Sequence, residues 1–260
     1  MVAKLDPVAQ RLSEATGDQS ANLVQWLDGK RTRAAMARRA FWYMMAAWLL
    51  VTAAAMIATF VSWSFTRSAD ALFGSNGIFV SPELPGLVAV VPFAFGALSV
   101  VLLVGGIVTW AIGRIPGLNM TVAALDWAGS SDAVSRLLSV GCTYPEAFKV
   151  AASASTSYAS RRWLMRSAVR VEQGWPIVGT PSRGDAAMVE LFVDSHDQDP
   201  VSTWRLTADH FAEVARRRIA LLIGSAPVLS TLLAGLIVWI SVASTLGFMW
   251  RSTITSLQAF

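Results

Sequence analysis

The sequence predicts an all-α membrane protein, with three transmembrane helices and a cytoplasmic antiparallel helical bundle between the second and the third. Three observations carry that expectation. The 260 residues are 54% hydrophobic and only 15% charged, whereas an average soluble domain carries about 25% charged residues. The apolar residues are bunched into three runs, each longer than the roughly 20 residues that cross a hydrocarbon core. Between the second and third runs, apolar positions recur at helical rather than alternating spacing.

Residues 1–40 form an N-terminal segment. Val8, Leu12 and Ala15 fall on one helix face, and Leu23, Val24, Trp26 and Leu27 mark a second short amphipathic piece that Asp28-Gly29 should end. So few residues cannot bury a core of their own. The segment is therefore expected on the membrane or against another part of an assembly. It holds no apolar h-region, so no cleavable signal peptide is expected, and the first apolar run reads as a retained anchor.

That run, residues 41–65, has no charge between Arg39 and Arg67. The second span covers 86–112 and the third 219–250. The third exceeds what the bilayer needs, so its first turns project into solvent or the helix tilts. Lys30, Arg31, Arg33, Arg38 and Arg39 precede the first span, Arg114 follows the second, and Arg216, Arg217 and Arg218 precede the third. The loop at 66–85 sets Arg67 against Asp70 and Glu83, and only Arg251 lies in the tail at 251–260. By the positive-inside rule the N-terminus and residues 113–218 are cytoplasmic, while loop and tail face outward. Trp42, Trp63, Trp110 and Trp250 lie near span ends, where indoles favour the headgroup layer. The net charge of +4 belongs to these flanks, which disfavours a nucleic-acid reading.

Residues 113–218 carry the folded cytoplasmic domain. A first helix over Val122–Val140 should stop at Gly141, the residue most tolerant of a left-handed cap. Thr143 and Glu146 then stand at capping-box spacing, with Pro145 tolerated in the first turn. "LLSVGCTYPEAF" thus reads as a helix hairpin with a glycine stop and a capped restart. A second helix follows through Phe148 and Val150, and a third from about Ser160 to Gln173 ends at Gly174. The glycine- and proline-rich stretch 174–185 must be a loop. A fourth helix covers Asp185–Val193, with Met188, Leu191 and Phe192 expected to face inward, and Asp199-Pro200 starts a fifth. Its stripe of Val201, Trp204, Ala208, Phe211, Ala212 and Ala215 runs on into the third span without a breaker.

Chemistry-bearing constellations are sparse. "DSHDQD", Asp194 to Asp199, gathers three aspartates and His196. A metal site would need ligands from further elements, and a Ser195–His196 hydrolase would need an orienting acid in space. A solvated loop whose acids cap the next helix explains the cluster more simply, with Asp194, His196 and Asp197 as candidate partner contacts. Arg162, Arg166 and Arg170 recur every fourth residue, either as a solvated face or as a docking stripe for an acidic partner or anionic headgroups. The spans carry almost nothing ionisable, which disfavours a transporter or channel subunit, the competing class. No Walker-type loop appears, and the lone Cys142 leaves no disulfide, CxxC pair or cysteine zinc site. Neither an enzyme nor a cofactor is expected.

The hairpin resembles the LL-x-x-G-x-x-x-x-E-A-(L/F) signature of the type II secretion F-protein family, through Leu137, Leu138, Gly141, Glu146, Ala147 and Phe148. "VRVEQGWPI" with Gly174, "WRLTADHFAEVARRR" and Pro227 in the last span resemble the family's later landmarks, in order. The family's G-E-x-S-G turn is replaced by "DSHDQ", and one cytoplasmic domain stands where many members have two, as in single-domain tight-adherence members. The resemblance implies an inner-membrane platform protein of a type II secretion or type IV or tight-adherence pilus machine in a bacterium. It also implies partners: a hexameric secretion ATPase, pilin-like or pseudopilin subunits, other inner-membrane assembly components, and a second copy or a paralogue. Arg162, Arg166, Arg170 and the Asp194–Asp199 loop are its candidate contact surfaces, and the hairpin its frame.

Overall fold

The computed structural model describes residues 6–16, 21–73, 86–112, 119–177, 184–195 and 199–258. Among them all regular structure is helical: α1 (Pro7–Thr16), α2 (Ala21–Phe73), α3 (Gly86–Ile112), α4 (Asn119–Ser139), α5 (Tyr144–Ala154), α6 (Tyr158–Glu172), α7 (Asp185–Ser195) and α8 (Pro200–Gln258). Three of these, α2, α3 and α8, are long and apolar enough to cross a membrane. With 53 and 59 residues, α2 and α8 are each more than about 75 Å long, over twice a hydrocarbon core of about 30 Å. A membrane crossing would therefore use less than half of either helix.

The chain divides into two compact units, Met1–Ala40 with Gly117–Leu221, and Phe41–Pro116 with Leu222–Phe260. The helices α2 and α8 contribute to both. The core of the first unit is aromatic. Trp127 of α4 stacks on Phe211 of α8 at 6.1 Å, and Phe148 of α5 meets Trp204 of α8 edge-on at 5.5 Å. Trp163 of α6 joins Trp127, Phe148 and Trp204 at 5.6, 6.3 and 6.3 Å. Edge-on and offset rings at these separations add to the area they bury. Around them Leu137, Ala147, Ala151, Leu164 and Val189 are fully buried. The indole N–H of Trp163 is satisfied by the buried carboxylate of Glu190 on α7, at 3.0 Å.

The N-terminal residues belong to this unit. Val8 and Leu12 of α1 are completely buried as α1 packs on α4 and α5. Asp6 ties α1 to α2 by accepting from the Trp26 indole at 3.1 Å and from Lys30 at 2.7 Å. Partial burial alone would raise the Asp6 pKa. The hydrogen bonds from Lys30 and Trp26, with the Lys30 charge, outweigh it and hold the carboxyl below its usual range. Two more links join α2 to α4: Arg33 pairs with Asp132 at 3.3 Å, and Arg136 donates to the Asn22 carbonyl and to Gln25 at 3.3 and 3.1 Å.

Two expectations change here. The described residues of 6–40 share a core with α4 and α5, and are not set on the membrane or against another part of an assembly, because Val8, Leu12 and Trp26 cover apolar faces of those helices. The helix also does not end at Asp28-Gly29, since α2 continues through Gly29. A helical glycine costs about 1 kcal/mol relative to alanine. The anchors Trp26, Lys30 and Arg33 on either side of it outweigh that cost.

The second unit packs through small residues. Ala55 and Ala58 of α2, Phe95 of α3 and Ile237 of α8 form its buried cluster. Alanine and glycine let helix backbones approach where lipid supplies no hydrophobic drive between helices. A Cβ on Gly106 would lie 3.1 Å from the Trp48 indole nitrogen, which instead donates to the Leu102 carbonyl at 2.9 Å. Hydroxyls supply the remaining links. Ser62 and Ser241, both buried, bond at 2.9 Å between α2 and α8, and Thr59 meets Ser99 at 3.3 Å between α2 and α3. Near one end of the first apolar run, Arg67 lies over the Trp63 ring at 5.6 Å.

Candidate functional site

The hairpin between α4 and α5 is built as its residues dictate. Gly141 has φ +89°, and the chain closes around it with Cys142 N–H to the Leu137 carbonyl and Gly141 N–H to the Leu138 carbonyl, both at 3.0 Å. That pairing is a Schellman cap. Thr143 is extended at φ −71°, ψ 155°, and its amide meets the Glu146 carboxylate at 3.4 Å. The Thr143 side chain sits over the third amide of α5, so both halves of the capping box are in place, loosely. Leu137, Ala147 and Phe148 point into the core, while Leu138 is half-buried and Gly141, Thr143 and Glu146 are exposed. Glu146 also faces Arg11 of α1 at 3.8 Å, an exposed pair of small energetic weight.

Because nothing lies within 4 Å of a Cβ placed on Gly141, only the backbone conformation demands glycine there. Gly141→Ala should therefore destabilise the first unit by about 1–2 kcal/mol, the cost of a left-handed L-residue, and Gly141→Asn by less. Thermal unfolding of the solubilised protein measures it. Equal losses for the two variants would point to something other than φ. Cys142, next in the chain, is not an activated thiol. Burial pushes its pKa up, Glu146 adds to that, and Arg11 only partly opposes it.

At its other end α5 meets a polar centre. Asp126 of α4 accepts from Ser155 Oγ at 2.5 Å, Thr156 N at 2.7 Å, Thr156 Oγ1 at 2.8 Å and Ser157 N at 3.2 Å, and also from Ser160 Oγ. The N-cap residue of α6, Ser157, makes no side-chain cap of its own. The Asp126 carboxylate from α4 instead fixes the backbone just before the helix, at Thr156 and Ser157, and places negative charge near the positive end of α6. Beside it opens a cleft of about 290 Å³, with Trp26, Lys30 and Arg33 on one wall and Asp126, Ser155 and Thr156 on the other. Each charge in it is already partnered: Lys30 with Asp6, Arg33 with Asp132, and Asp126 with the loop.

The predicted contact residues separate. Arg162 and Arg166 of α6 are exposed and form no ion pair among the described residues; Arg162 lies over the Tyr158 ring at 5.9 Å. Arg170 is half-buried and donates from Nε to the Pro176 carbonyl at 3.1 Å. It thus helps hold the turn after α6, where Gly174 at φ +76° closes a second Schellman cap: Trp175 N–H to the Arg170 carbonyl at 2.9 Å and Gly174 N–H to the Val171 carbonyl at 3.0 Å. Asp194 is exposed in the last turn of α7, and so, against the expectation that they face inward, are Met188 and Leu191; of that trio only Phe192 is partly buried. His196 and Asp197 lie outside the described residues. Among the described residues no three His, Cys, Asp or Glu side chains gather as a metal site. Pro227 sits inside α8, and its carbonyl accepts from Ser230 Oγ at 3.0 Å and Thr231 Oγ1 at 2.7 Å.

Sequence reading missed Asp126, Asp6 and Glu190. A signal existed for the first. Asp126 is a lone acid in the otherwise uncharged stretch "TVAALDWAGSS", and "SASTSYAS" is rich in donors needing an acceptor. No family model, curated protein or solved structure matches this chain.

Proposed function

We propose that this chain is the inner-membrane platform of a secretion or pilus machine. Its first unit would be a cytoplasmic antiparallel bundle that engages a hexameric secretion ATPase, and its spans would guide pilin-like subunits. The observation that carries this reading is the hairpin. The residues that resemble the type II secretion F-protein signature are the ones whose local chemistry builds the corner: a left-handed Gly141, a capping Glu146, and buried Leu137, Ala147 and Phe148. Two of the helices long enough to cross a membrane, α2 and α8, also contribute residues to this unit, which supports a role that links it to the bilayer. ATP hydrolysis belongs to the partner, and the chain itself is non-enzymatic.

The basic flanks of the spans orient the first unit to the cytoplasm. The exposed end of α7, with Leu191 and Asp194, is the surface proposed for the ATPase. The competing reading, a transporter or channel subunit, calls for a polar route; the buried hydroxyls of Ser62 and Ser241 are instead spent on each other.

Affinity purification of the tagged full chain from its native membrane tests the proposal. A hexameric ATPase and pilin-like subunits are expected with it, and Leu191→Glu with Asp194→Arg should reduce the ATPase share while the chain stays folded. Recovery of transport components, together with normal fibre assembly or secretion in a strain lacking the chain, would overturn it.

A further inference from the structure

The outer face of α6 has a composition that docking to a folded protein does not explain best. About 100° separates successive helical residues, so Tyr158, Met165 and Val169 line up as one strip along the helix, with Arg161 on one flank and Arg162 and Arg166 on the other. The strip is open: Tyr158 is 74% exposed, Met165 44% and Val169 45%, and the indole of Trp175, just past the helix end, is 62% exposed. The three arginines are exposed and have no carboxylate partner among the described residues. The one acid that this spacing puts on the face, Glu172 in the last turn of α6, is paired with Lys149 of α5.

We propose that this face of α6 docks onto an anionic lipid surface, with the arginines on headgroup phosphates and the strip of Tyr158, Met165 and Val169, with Trp175, inserted at the headgroup boundary. An apolar strip bordered by cations is the pattern of a helix lying in the interfacial plane, where arginine stems extend the apolar contact while the guanidinium stays with the phosphates. Protein interfaces also favour Arg, Tyr, Met and Trp. They concentrate their energy, however, where an anchor side chain meets a pocket, and this is the convex side of a single helix, whereas a bilayer is a flat partner that needs no pocket. The chain also carries its own membrane-long helices, so the bilayer is present at the high effective concentration of a tethered partner. The inference does not depend on which machine the chain serves.

The test uses the full chain in lipid nanodiscs. Cys142 is the only cysteine, so Cys142→Ser with Met165→Cys gives a single spin-labelling position on the strip. Its accessibility to oxygen, relative to a water-soluble nickel relaxant, should rise several-fold when zwitterionic discs are replaced by discs with about a third phosphatidylglycerol. It should fall back as salt shortens the Debye length to about 3 Å near 1 M. Arg162→Glu with Arg166→Glu should abolish the rise, since each arginine near an anionic surface is worth about fivefold in the docking equilibrium constant. Unchanged thermal unfolding of that variant keeps the comparison one of charge. A label that stays water-accessible in anionic discs, or shifts equally in both lipids, overturns the proposal. A label shielded only when an acidic soluble protein is added overturns it in favour of a protein partner.

Discussion

Replacing Phe148 by alanine should destabilise the first unit by about 3–5 kcal/mol, the range for removing a large aromatic from a packed core. The ring is completely buried and sits among Trp163, Trp204 and Tyr144, at 6.3, 5.5 and 5.5 Å. It is therefore the point where α5, α6 and α8 share contacts. Domains are commonly stable by about 5–15 kcal/mol, so this loss would leave the unit marginal. Phe148→Leu nearly conserves volume and should cost less than about 1.5 kcal/mol. Urea unfolding in detergent, followed by near-ultraviolet circular dichroism of the coupled indoles, reads both. A loss under about 1 kcal/mol for the alanine variant would mean that the cluster relaxes around the hole and does not hold the three helices together.

Phe148 also marks how far local sequence carries. Positions governed by short-range chemistry were readable: Gly141 and Gly174 as left-handed stops, Thr143 and Glu146 as a helix start, Pro200 as the first residue of α8. So were the three membrane-long helices, because a run of apolar residues is itself the physical property that a membrane selects. What depended on distant residues was not. The arm at Val8 and Leu12 is too short to announce its partner, and only the uncovered faces of α4 and α5 show where it goes. Gly29 misled for the same reason. As an isolated glycine beside an aspartate it reads as a stop, and the tertiary anchors Trp26 and Arg33 reverse that reading.

The candidate contact surface shows the same division. A period of four placed Arg162, Arg166 and Arg170 on one helix, and the first two are indeed free of ion pairs among the described residues. The period could not show that Arg170 bonds to the Pro176 carbonyl and helps secure the end of the helix instead. Nor could it show that Met165 and Val169 lie exposed between the arginines, since apolar residues on a helix are ordinarily taken for its core face. The exposure of that strip turns a basic stripe into an interfacial one.

Asp126→Ala should cost about 2–4 kcal/mol and should act first on α6. Charge-assisted hydrogen bonds contribute about 1.5–3 kcal/mol each when measured singly and do not add, so five donors on one carboxylate do not multiply that figure. Part of the loss is recoverable. The hydroxyls of Ser155 and Ser160 already lie 2.5 Å apart and can pair with each other, whereas the amides of Thr156 and Ser157 have no comparable substitute. Asn at this position keeps one acceptor oxygen but turns an N–H₂ toward donors and loses the charge that favours the helix N-terminus. Asp126→Asn should therefore recover less than half of the loss. Hydrogen exchange supplies the local reading: amides at 156 and 157, and the first turn of α6 after them, should lose protection in Asp126→Ala before the amides of α4 do. Uniform loss of protection across the unit would show that Asp126 supports the core generally. Unchanged exchange at 155–160 would show that the loop holds its shape without it. Loss confined to α6 would identify Asp126 as the residue that fixes where the Arg162–Arg166 face begins, and so how that face is presented.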